Sequence, residues 1–306
     1  MSQNRDQVKL RASGKLMISG EYLVLDGART WAIPTKYGQS LTANPSPGAG
    51  LKWRSVDHNQ KVWFEGLWDG EGKLIDFTDS DTAETLHNLL HFSKLKGHNP
   101  FSGWNVSTEV DFPREWGLGT SSSLVALISK WLNVEPFELF DSSMTGSGYD
   151  VAVAYYNRGC VYRKGEVRKE IVNVDHVPTF VEHLYFVYSG MKQSSKSEVL
   201  RYANIDLSKR ETLVPEVNKL TQEMLTTKEL SDFQTAMRKH ESLLGTILER
   251  ETLNEDWAEI DGAMKHLGAW GGDFFLLATD QASDFDLLRE GGAQLIIPWK
   301  EMMLDY

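Results

Sequence analysis

The sequence predicts a two-domain α+β protein. Strand patterns dominate the first 110 residues, whereas the second half follows the order strand, helices, strand, helix, strand, starting at LYFVYSG (184–190). That order is typical of α+β domains. The dipeptide Val177-Pro178 marks a plausible boundary, which gives predicted domains at 1–177 and 178–306. A chain of 306 residues is long enough to build both cores.

Composition narrows the class of protein. With 41% hydrophobic and 25% charged residues, the chain resembles a globular protein that is soluble in water. A net charge of −11 argues against nucleic-acid and anionic-membrane partners, and leaves a small molecule as the expected ligand. Cys160 is the single cysteine, so no intrachain disulfide is possible and a cytoplasmic location is expected. We find no apolar run near the ~18 residues that span a bilayer, and no signal peptide. A monomer or a homodimer is expected.

The amino-terminal elements follow from alternating hydrophobic residues between turn signals. The predicted strands are VKLRA, KLMIS, YLVL, TWAIPTKY and SLTA, separated by turns at Gly14, Gly20 and Asp26-Gly27. LKWRSV and KVWFEGLW predict a hairpin. A helix follows, with Asp81 as its predicted cap and Glu84 as the partner of a capping box. The strand WNVSTEVDF then leads to a glycine loop.

The carboxy-terminal half contains longer helical patterns. We predict helices near 208–226, 229–250 and 254–265, then a strand at DFFLLAT. A last helix, DFDLLRE, and a last strand, AQLIIP, complete the layout.

The stretch WGLGTSSS, residues 116–123, is the strongest candidate for a ligand site. Two glycines are followed by four hydroxyl residues, and an apolar helical stripe begins at Leu124. Hydroxyls and free backbone N–H groups at a helix start suit a polyphosphate. The stretch matches neither a Walker A loop nor the dinucleotide-binding motif. In the latter, Ser122 stands at the position of the third glycine. The alternative is an ordinary serine-capped core helix.

A second glycine turn, GSGYD at 146–150, opens another helix of small residues. Two helices that both begin at Gly/Ser turns indicate a shared site. The simpler interpretation of Asp150 is a helix N-cap.

Four segments in order resemble the GHMP kinases, the family of galactokinase and of homoserine, mevalonate and phosphomevalonate kinases. Residues 12–22 (ASGKLMISGEY) are similar to the family's amino-terminal A-P-G-K…G-E-[HY] segment, and 117–123 (GLGTSSS) to its nucleotide loop. Residues 146–150 resemble the S-G-x-D segment, and 268–272 (GAWGG) the carboxy-terminal glycine loop. The resemblance implies an amino-terminal half like ribosomal S5 domain 2, a ferredoxin-like carboxy-terminal half, and ATP with Mg²⁺ as cofactors.

The resemblance also implies residue roles. Asp150 would accept the acceptor's proton, Lys15 would lie beside the acceptor oxygen, and Ser121 would bind Mg²⁺. Nucleotide-binding positions would be Trp116, Gly117, Leu118, Gly119, Thr120, Ser121 and Ser122. Substrate-binding positions would be Glu21, Tyr22, Ser147, Gly148, Lys192, Ser194, Ser195, Gly268, Ala269 and Gly271.

Two departures from the family pattern matter. Trp270 replaces a glycine, and either narrows the phosphate pocket or lies outside it. Many members hold a second, carboxylate Mg²⁺ ligand in the interval 124–145, where Glu135, Glu138 and Asp141 are the candidates, and the site has one of these or none.

The expected activity is transfer of the γ-phosphate of ATP to a small acceptor. Gly20-Glu21-Tyr22 and the aromatic before the loop favour mevalonate or phosphomevalonate over galactose. Phosphomevalonate is preferred because Arg11 and the segment 192–196 offer donors for a second phosphate. The alternatives are a sugar or amino-alcohol acceptor, and a catalytically silent ATP-binding sensor.

Overall fold

The computed structural model describes residues 6–165, 168–190, 195–268, 270, 272 and 274–305. The strands are β1 (Val8–Ser19), β2 (Thr30–Pro45), β3 (Gly50–Val56), β4 (Val62–Trp68), β5 (Leu74–Phe77), β6 (Ser102–Val110), β7 (Cys160–Lys164), β8 (Lys169–Asn173), β9 (Leu184–Tyr188), β10 (Ala263–His266), β11 (Phe274–Ala278) and β12 (Leu295–Pro298). The helices are α1 (Ser80–Leu95), α2 (Thr120–Leu132), α3 (Pro136–Ser143), α4 (Tyr149–Tyr156), α5 (Ser195–Ala203), α6 (Leu207–Thr226), α7 (Leu230–Leu248), α8 (Leu253–Asp256), α9 (Ser283–Glu290) and α10 (Trp299–Met302). Short 3₁₀ helices occur at Leu23–Asp26, Arg114–Trp116 and Val181–His183. The predicted α+β class is confirmed.

Two compact units divide the chain. Unit 1 comprises Met1–Gly14, Tyr37–Arg114 and Leu118–Asn157, and unit 2 comprises Lys15–Lys36, Glu115–Gly117 and Arg158–Tyr306. The strands β1 and β2 therefore each have residues in both units. Because the units group residues by compactness, they do not test the predicted boundary between 1–177 and 178–306, which stays a prediction.

Unit 1 is built on a sheet with the strand order β5-β4-β3-β6-β2. The predicted hairpin is confirmed, since β3 and β4 pair antiparallel with Leu51 opposite Trp68. β3 pairs parallel with β6, and β2 pairs antiparallel with β6. Alternation along these strands sends one set of side chains into a core shared with α1, α2, α3 and α4.

Helix α1 begins where Asp79, rather than Asp81, accepts the backbone N–H of Thr82 at 2.9 Å. The predicted cap was thus wrong by two residues. Asp79 and Asp81 both precede the same apolar stripe, so the stripe does not distinguish between them. That stripe is as expected: Leu86, Leu89 and Leu90 are buried.

Unit 2 contains a four-stranded antiparallel sheet in the order β10-β11-β9-β12. With its helices, the chain order is β-α-β-β-α-β, the ferredoxin-like arrangement. Helix α7 packs against β10 and α6. In the same unit, Thr30–Ala32 of β2 pair with β7, and β7 pairs with β8.

Three predictions of secondary structure were wrong. The predicted turn at Gly14 is absent, because β1 continues through it from Val8 to Ser19. The segment YLVL is a 3₁₀ helix, Leu23–Asp26, because the backbone turns at Tyr22 and at Gly27, both with positive φ. The predicted helix at 254–265 is the short α8 followed by β10, which the apolar spacing of Ile260, Ala263 and Met264 concealed. Within the described ranges, no helix combines the length and apolar content needed to cross a bilayer.

Candidate functional site

The loop before α2 depends on its two glycines. Gly117 has φ +64° and Gly119, the residue that precedes the first helical residue, has φ +92°. A side chain at either position would be strained, whereas glycine adopts a positive φ freely. Helix α2 begins at Thr120, as predicted, and the Ser123 N–H already donates to the Gly119 carbonyl at 3.0 Å. The preceding N–H groups lie in the first turn, where α-helical geometry provides no partner.

The four hydroxyl residues of this turn divide into two pairs. The Ser122 hydroxyl is buried and donates to the Gly119 carbonyl at 2.9 Å. The Ser123 hydroxyl is also buried, and donates to Gln39 Oε1 at 2.7 Å. In contrast, Thr120 and Ser121 line a cavity, and Ser121 is exposed. Ser121, the residue predicted to bind Mg²⁺, is therefore accessible, whereas the hydroxyls of Ser122 and Ser123 already form hydrogen bonds within the protein.

That cavity belongs to unit 1 and has a volume of about 240 Å³. Its walls combine aromatic, hydroxyl and charged side chains: Gln39, Trp53, Ser55, Trp63, Phe64, Asp81, Thr82, Thr85, Leu86, Thr108, Arg114, Thr120, Ser121, Leu124 and Met144. The Arg114 guanidinium lies 3.7 Å from the Trp63 ring centroid, a cation–π contact. The Trp63 Nε1–H is buried and has no hydrogen-bond acceptor among the described residues. The cavity therefore has an aromatic wall, but the Trp63 Nε1–H lies too deep to contact a ligand in it.

The second glycine turn opens α4, also in unit 1. Gly148 has φ +87° and precedes the helix, and Asp150 lies half-buried in the first helical turn. The dipole of a helix favours a negative charge at this end. Asp150 Oδ1 accepts the Val151 N–H at 3.0 Å, and Ser147 is buried. Helices α2 and α4 pack against each other, so their starts belong to one packed helix pair.

Unit 2 holds Lys15 together with Trp116 and Gly117, the first residues of the glycine loop. The Lys15 ammonium donates to the Gly117 carbonyl at 3.2 Å. Trp116 packs its ring against Phe274, with 5.5 Å between centroids, and against Tyr188, with 6.2 Å. Two separately predicted segments, 12–22 and 116–117, are thus in direct contact.

Glu21 lies in a buried ionic cluster that the sequence did not reveal. Its side chain binds the Lys265 ammonium, and both residues are essentially inaccessible. Burial raises the pKa of the Glu21 carboxyl, and the Lys265 charge partly offsets this effect. Burial, aided by the Lys265 charge, lowers the pKa of His240 well below its usual range. His240 is therefore neutral, and its Nε2 accepts the Gly20 N–H at 3.1 Å. Its Nε2 is 3.7 Å from Glu21 Oε2, but a neutral imidazole accepting there forms no ion pair.

Trp270 is buried rather than open to a pocket. Its indole stacks on His266, with 4.2 Å between ring centroids, and its backbone N–H donates to the Tyr22 hydroxyl at 2.7 Å. Burial raises the pKa of Tyr22 to about 12, so the hydroxyl stays protonated. The indole that replaces a family glycine is therefore part of the core of unit 2.

The predicted second Mg²⁺ ligands have other partners. Glu135 caps α3 by accepting the Glu138 N–H at 2.7 Å, and Glu138 pairs with Lys96. Asp141 lies on the exposed side of α3. No described group of three or more His, Cys, Asp or Glu side chains is arranged to hold a metal ion. Among the described residues that line the same cavity as Ser121, Asp81 is the one with a carboxylate side chain.

Part of the predicted substrate site lies outside the described residues: Lys192, Ser194, Ala269 and Gly271. Ser195 begins α5, and Gly268 has φ +74° with open space where a side chain would stand. Arg11, the other predicted phosphate donor, pairs with Asp111 at 2.6 Å on the exposed surface of unit 1.

Comparison with solved structures identifies the fold. A Lactococcus lactis galactokinase complexed with galactose matches with a TM-score of 0.73 at 15% identity, covering 100% of this chain and 95% of that chain. The Methanococcus jannaschii mevalonate kinase matches with a TM-score of 0.68 at 16% identity, covering 96% and 98%. The Streptococcus pneumoniae phosphomevalonate kinase, in complex with phosphomevalonate and AMPPNP, matches with a TM-score of 0.66 at 16% identity, covering 98% of both chains. No protein-family model and no curated protein matches the sequence. The chain has the fold of the GHMP kinases, as the sequence predicted.

Proposed function

We propose that this chain is an ATP-dependent small-molecule kinase of the GHMP family. The observation that carries the proposal is the division of hydroxyls at the start of α2. Ser122 and Ser123 are tied to the fold, whereas Thr120 and Ser121 face a cavity with an aromatic wall. Neither Ser122 nor Ser123 caps α2, because the residue before the helix is Gly119 and no described side chain accepts a first-turn N–H. The shared fold supports the same class of reaction.

The residues around the cavity fit a magnesium nucleotide. The half-buried ring of Trp63, which lines the cavity, suits a base. The first-turn N–H groups of α2 suit phosphate oxygens. Mg²⁺ prefers oxygen ligands and is commonly held by one or two protein groups plus phosphates. Ser121 would supply the hydroxyl, and Asp81 the carboxylate. When bound, Mg²⁺ neutralises charge on the β- and γ-phosphates.

Transfer then requires groups for the acceptor's proton and its developing charge. In this proposal, Asp150 accepts the proton of the acceptor hydroxyl or phosphate from its position in the first turn of α4. Lys15 stabilises negative charge on the acceptor oxygen. Its hydrogen bond to the Gly117 carbonyl fixes the direction of a long, flexible side chain.

For the acceptor, we propose phosphomevalonate in preference to mevalonate. The preference rests on the lysine and serines of 192–196, since Arg11 is already paired with Asp111. The alternative acceptors are a sugar or an amino alcohol.

The deciding experiment measures ATP-dependent phosphorylation of a panel containing phosphomevalonate, mevalonate, galactose and homoserine. We expect the highest kcat/KM with phosphomevalonate, and a selective loss with that acceptor in Lys192→Ala. The matched control is Lys209→Ala, an exposed lysine of α6. Equal or better use of mevalonate would overturn the acceptor assignment. ATP binding without transfer to any acceptor would favour the silent sensor.

A further inference from the structure

Tyr22 has a backbone conformation that is rare for a residue with a side chain. Its φ is +60° and its ψ is −53°, and the Leu23 N–H donates to the Glu21 carbonyl at 2.6 Å across it. This is a γ-turn of the strained, positive-φ kind. Such conformations persist only where the surroundings fix them, and they occur preferentially at functional sites.

Each residue of the turn is held by a different contact inside unit 2. The Gly20 N–H donates to His240 Nε2 on α7, and the Glu21 carboxylate binds Lys265 on β10. The Tyr22 hydroxyl accepts the Trp270 N–H. Three consecutive residues are therefore anchored to three separate elements of the chain.

The same contacts extend to the segment that begins at Gly268. Lys265 Nζ also donates to the His266 carbonyl at 2.8 Å, and the Arg250 guanidinium donates to the Trp270 carbonyl at 3.3 Å. Arg250 in turn binds both carboxylate oxygens of Glu198 on α5 at 3.0 Å. The Trp270 backbone is thus held through its N–H by Tyr22 and through its carbonyl by Arg250.

We propose that Tyr22, Lys265 and His240 are positioning residues: they keep the 20–22 turn strained and, through the Tyr22 hydroxyl, fix the backbone at Trp270. This inference rests on the proposed kinase function and on the predicted acceptor-binding role of Gly268. Tyr22 acts here through its hydroxyl and backbone, since its side chain is only 6% exposed.

Stability alone does not account for this arrangement. A buried ion pair loses as much in desolvation as it gains in attraction, and an apolar pair of similar volume is commonly as stable. The turn adds backbone strain, which a different sequence would avoid. Together, these contacts fix the position of the 20–22 turn and of the Trp270 backbone.

The test is Tyr22→Phe, which retains the ring and removes the hydroxyl. Its matched control is Tyr202→Phe, whose ring lies 5.2 Å from that of Tyr22 in the same core but whose hydroxyl binds Asp26. We expect hydrogen exchange of the Trp270 amide, followed by NMR, to become about three- to tenfold faster in Tyr22→Phe and to be unchanged in the control. We also expect KM for the best acceptor of the panel to rise by a similar factor, with a smaller change in kcat.

Two outcomes would overturn the inference: equal Trp270 exchange in both variants, or equal kinetics despite faster exchange in Tyr22→Phe. Thermal unfolding of both variants separates these effects from a general loss of stability, which the control shares. Failure of the proposed function has a different signature, because wild-type protein would then phosphorylate no acceptor. In that event the exchange measurement alone decides whether Tyr22 fixes the Trp270 backbone.

Discussion

The helix starts of unit 1 and the 20–22 turn of unit 2 use their predicted site residues in opposite ways. At the start of α2, Ser121 is exposed beside a cavity, and Asp150 at the start of α4 is half-buried. In the 20–22 turn, Glu21 and Tyr22 are buried, and their polar atoms bind Lys265 and Trp270. The first region leaves polar groups accessible, whereas the polar groups of the second hold the backbone in place.

This difference separates two kinds of contribution that a polar side chain can make. Exposed groups act directly on a ligand, so their removal is expected to change a chemical rate or a binding constant. Buried groups act through conformation, so their removal is expected to change stability first. The following variants test that distinction, beginning with the largest effect.

Asp150→Asn is expected to lower kcat by about 10²–10⁴, the usual loss when a general base is removed. ATP affinity, measured by fluorescence titration, should change little, since Asp150 is assigned to the acceptor. The matched control is Asp232→Asn, which removes an aspartate from the first turn of another helix, α7. Similar kinetic effects of both changes would mean that Asp150 is only a favourable helix-end charge.

Lys265→Met tests the buried side of the comparison. Removing one partner of a buried ion pair typically costs about 3–5 kcal/mol, because the other charge is left uncompensated. We expect a loss of that size in the free energy of unfolding, measured in urea. The double variant Glu21→Gln/Lys265→Met should recover most of it, since no unpaired charge remains.

The control for Lys265→Met is Lys219→Met, which removes an exposed lysine that pairs with Glu216 and Glu223 along α6. A cost of about 0–1 kcal/mol is expected there. Should the double variant be as unstable as the single one, the Glu21–Lys265 pair would not be the source of the loss.

The local sequence pattern was sufficient to predict the glycine loop and most helices and strands. Positive φ at Gly117 and Gly119 and an apolar stripe from Leu124 are both dictated by nearby residues, so the start of α2 could be predicted. The hairpin of β3 and β4 likewise follows from alternation along two adjacent segments.

The buried cluster could not be predicted, because its members are brought together only by the fold. Lys265 is 244 residues from Glu21 in sequence, and His240 is 220 from Gly20. The one available indication was a lysine and a histidine within the apolar stretch AMKHL, and the helix predicted at 254–265 obscured it. The YLVL error has the same origin, since the turn at Tyr22 depends on distant contacts.

Within the exposed region, Ser121→Ala and Ser123→Ala should have different effects. Ser121→Ala removes a hydroxyl at the cavity, and we expect a higher KM for Mg·ATP with little change in stability. Ser123→Ala leaves the buried Gln39 Oε1 without its donor, at a cost of about 1–3 kcal/mol in unfolding free energy. Nucleotide titration and urea unfolding of both variants provide the comparison. If neither substitution changes the KM, the loop does not bind the nucleotide.

The smallest expected effect is the contribution of His240 to the loss of stability at acidic pH. Its folded-state pKa lies below the usual value of 6.5, because burial and the Lys265 charge disfavour the imidazolium. Below that pH the unfolded chain binds a proton that the folded chain does not, so His240 makes the protein less stable as the pH falls. Glu21 acts in the opposite sense, since its raised pKa gives stability that is lost as the pH rises through the folded-state value.

His240→Gln isolates the histidine contribution, because Glu21 and Lys265 remain and a glutamine oxygen can accept the Gly20 N–H. Between pH 6.5 and 5.5, the unfolding free energy of the variant should fall less than that of wild type, by up to about 1 kcal/mol. His58→Gln, on an exposed hairpin turn, is the control and should retain the wild-type pH profile. Parallel profiles for wild type and His240→Gln would show that His240 takes up a proton in the folded protein as readily as in the unfolded chain. Its Nε2 could then no longer accept from Gly20, and the anchor assigned to that residue of the turn would be lost.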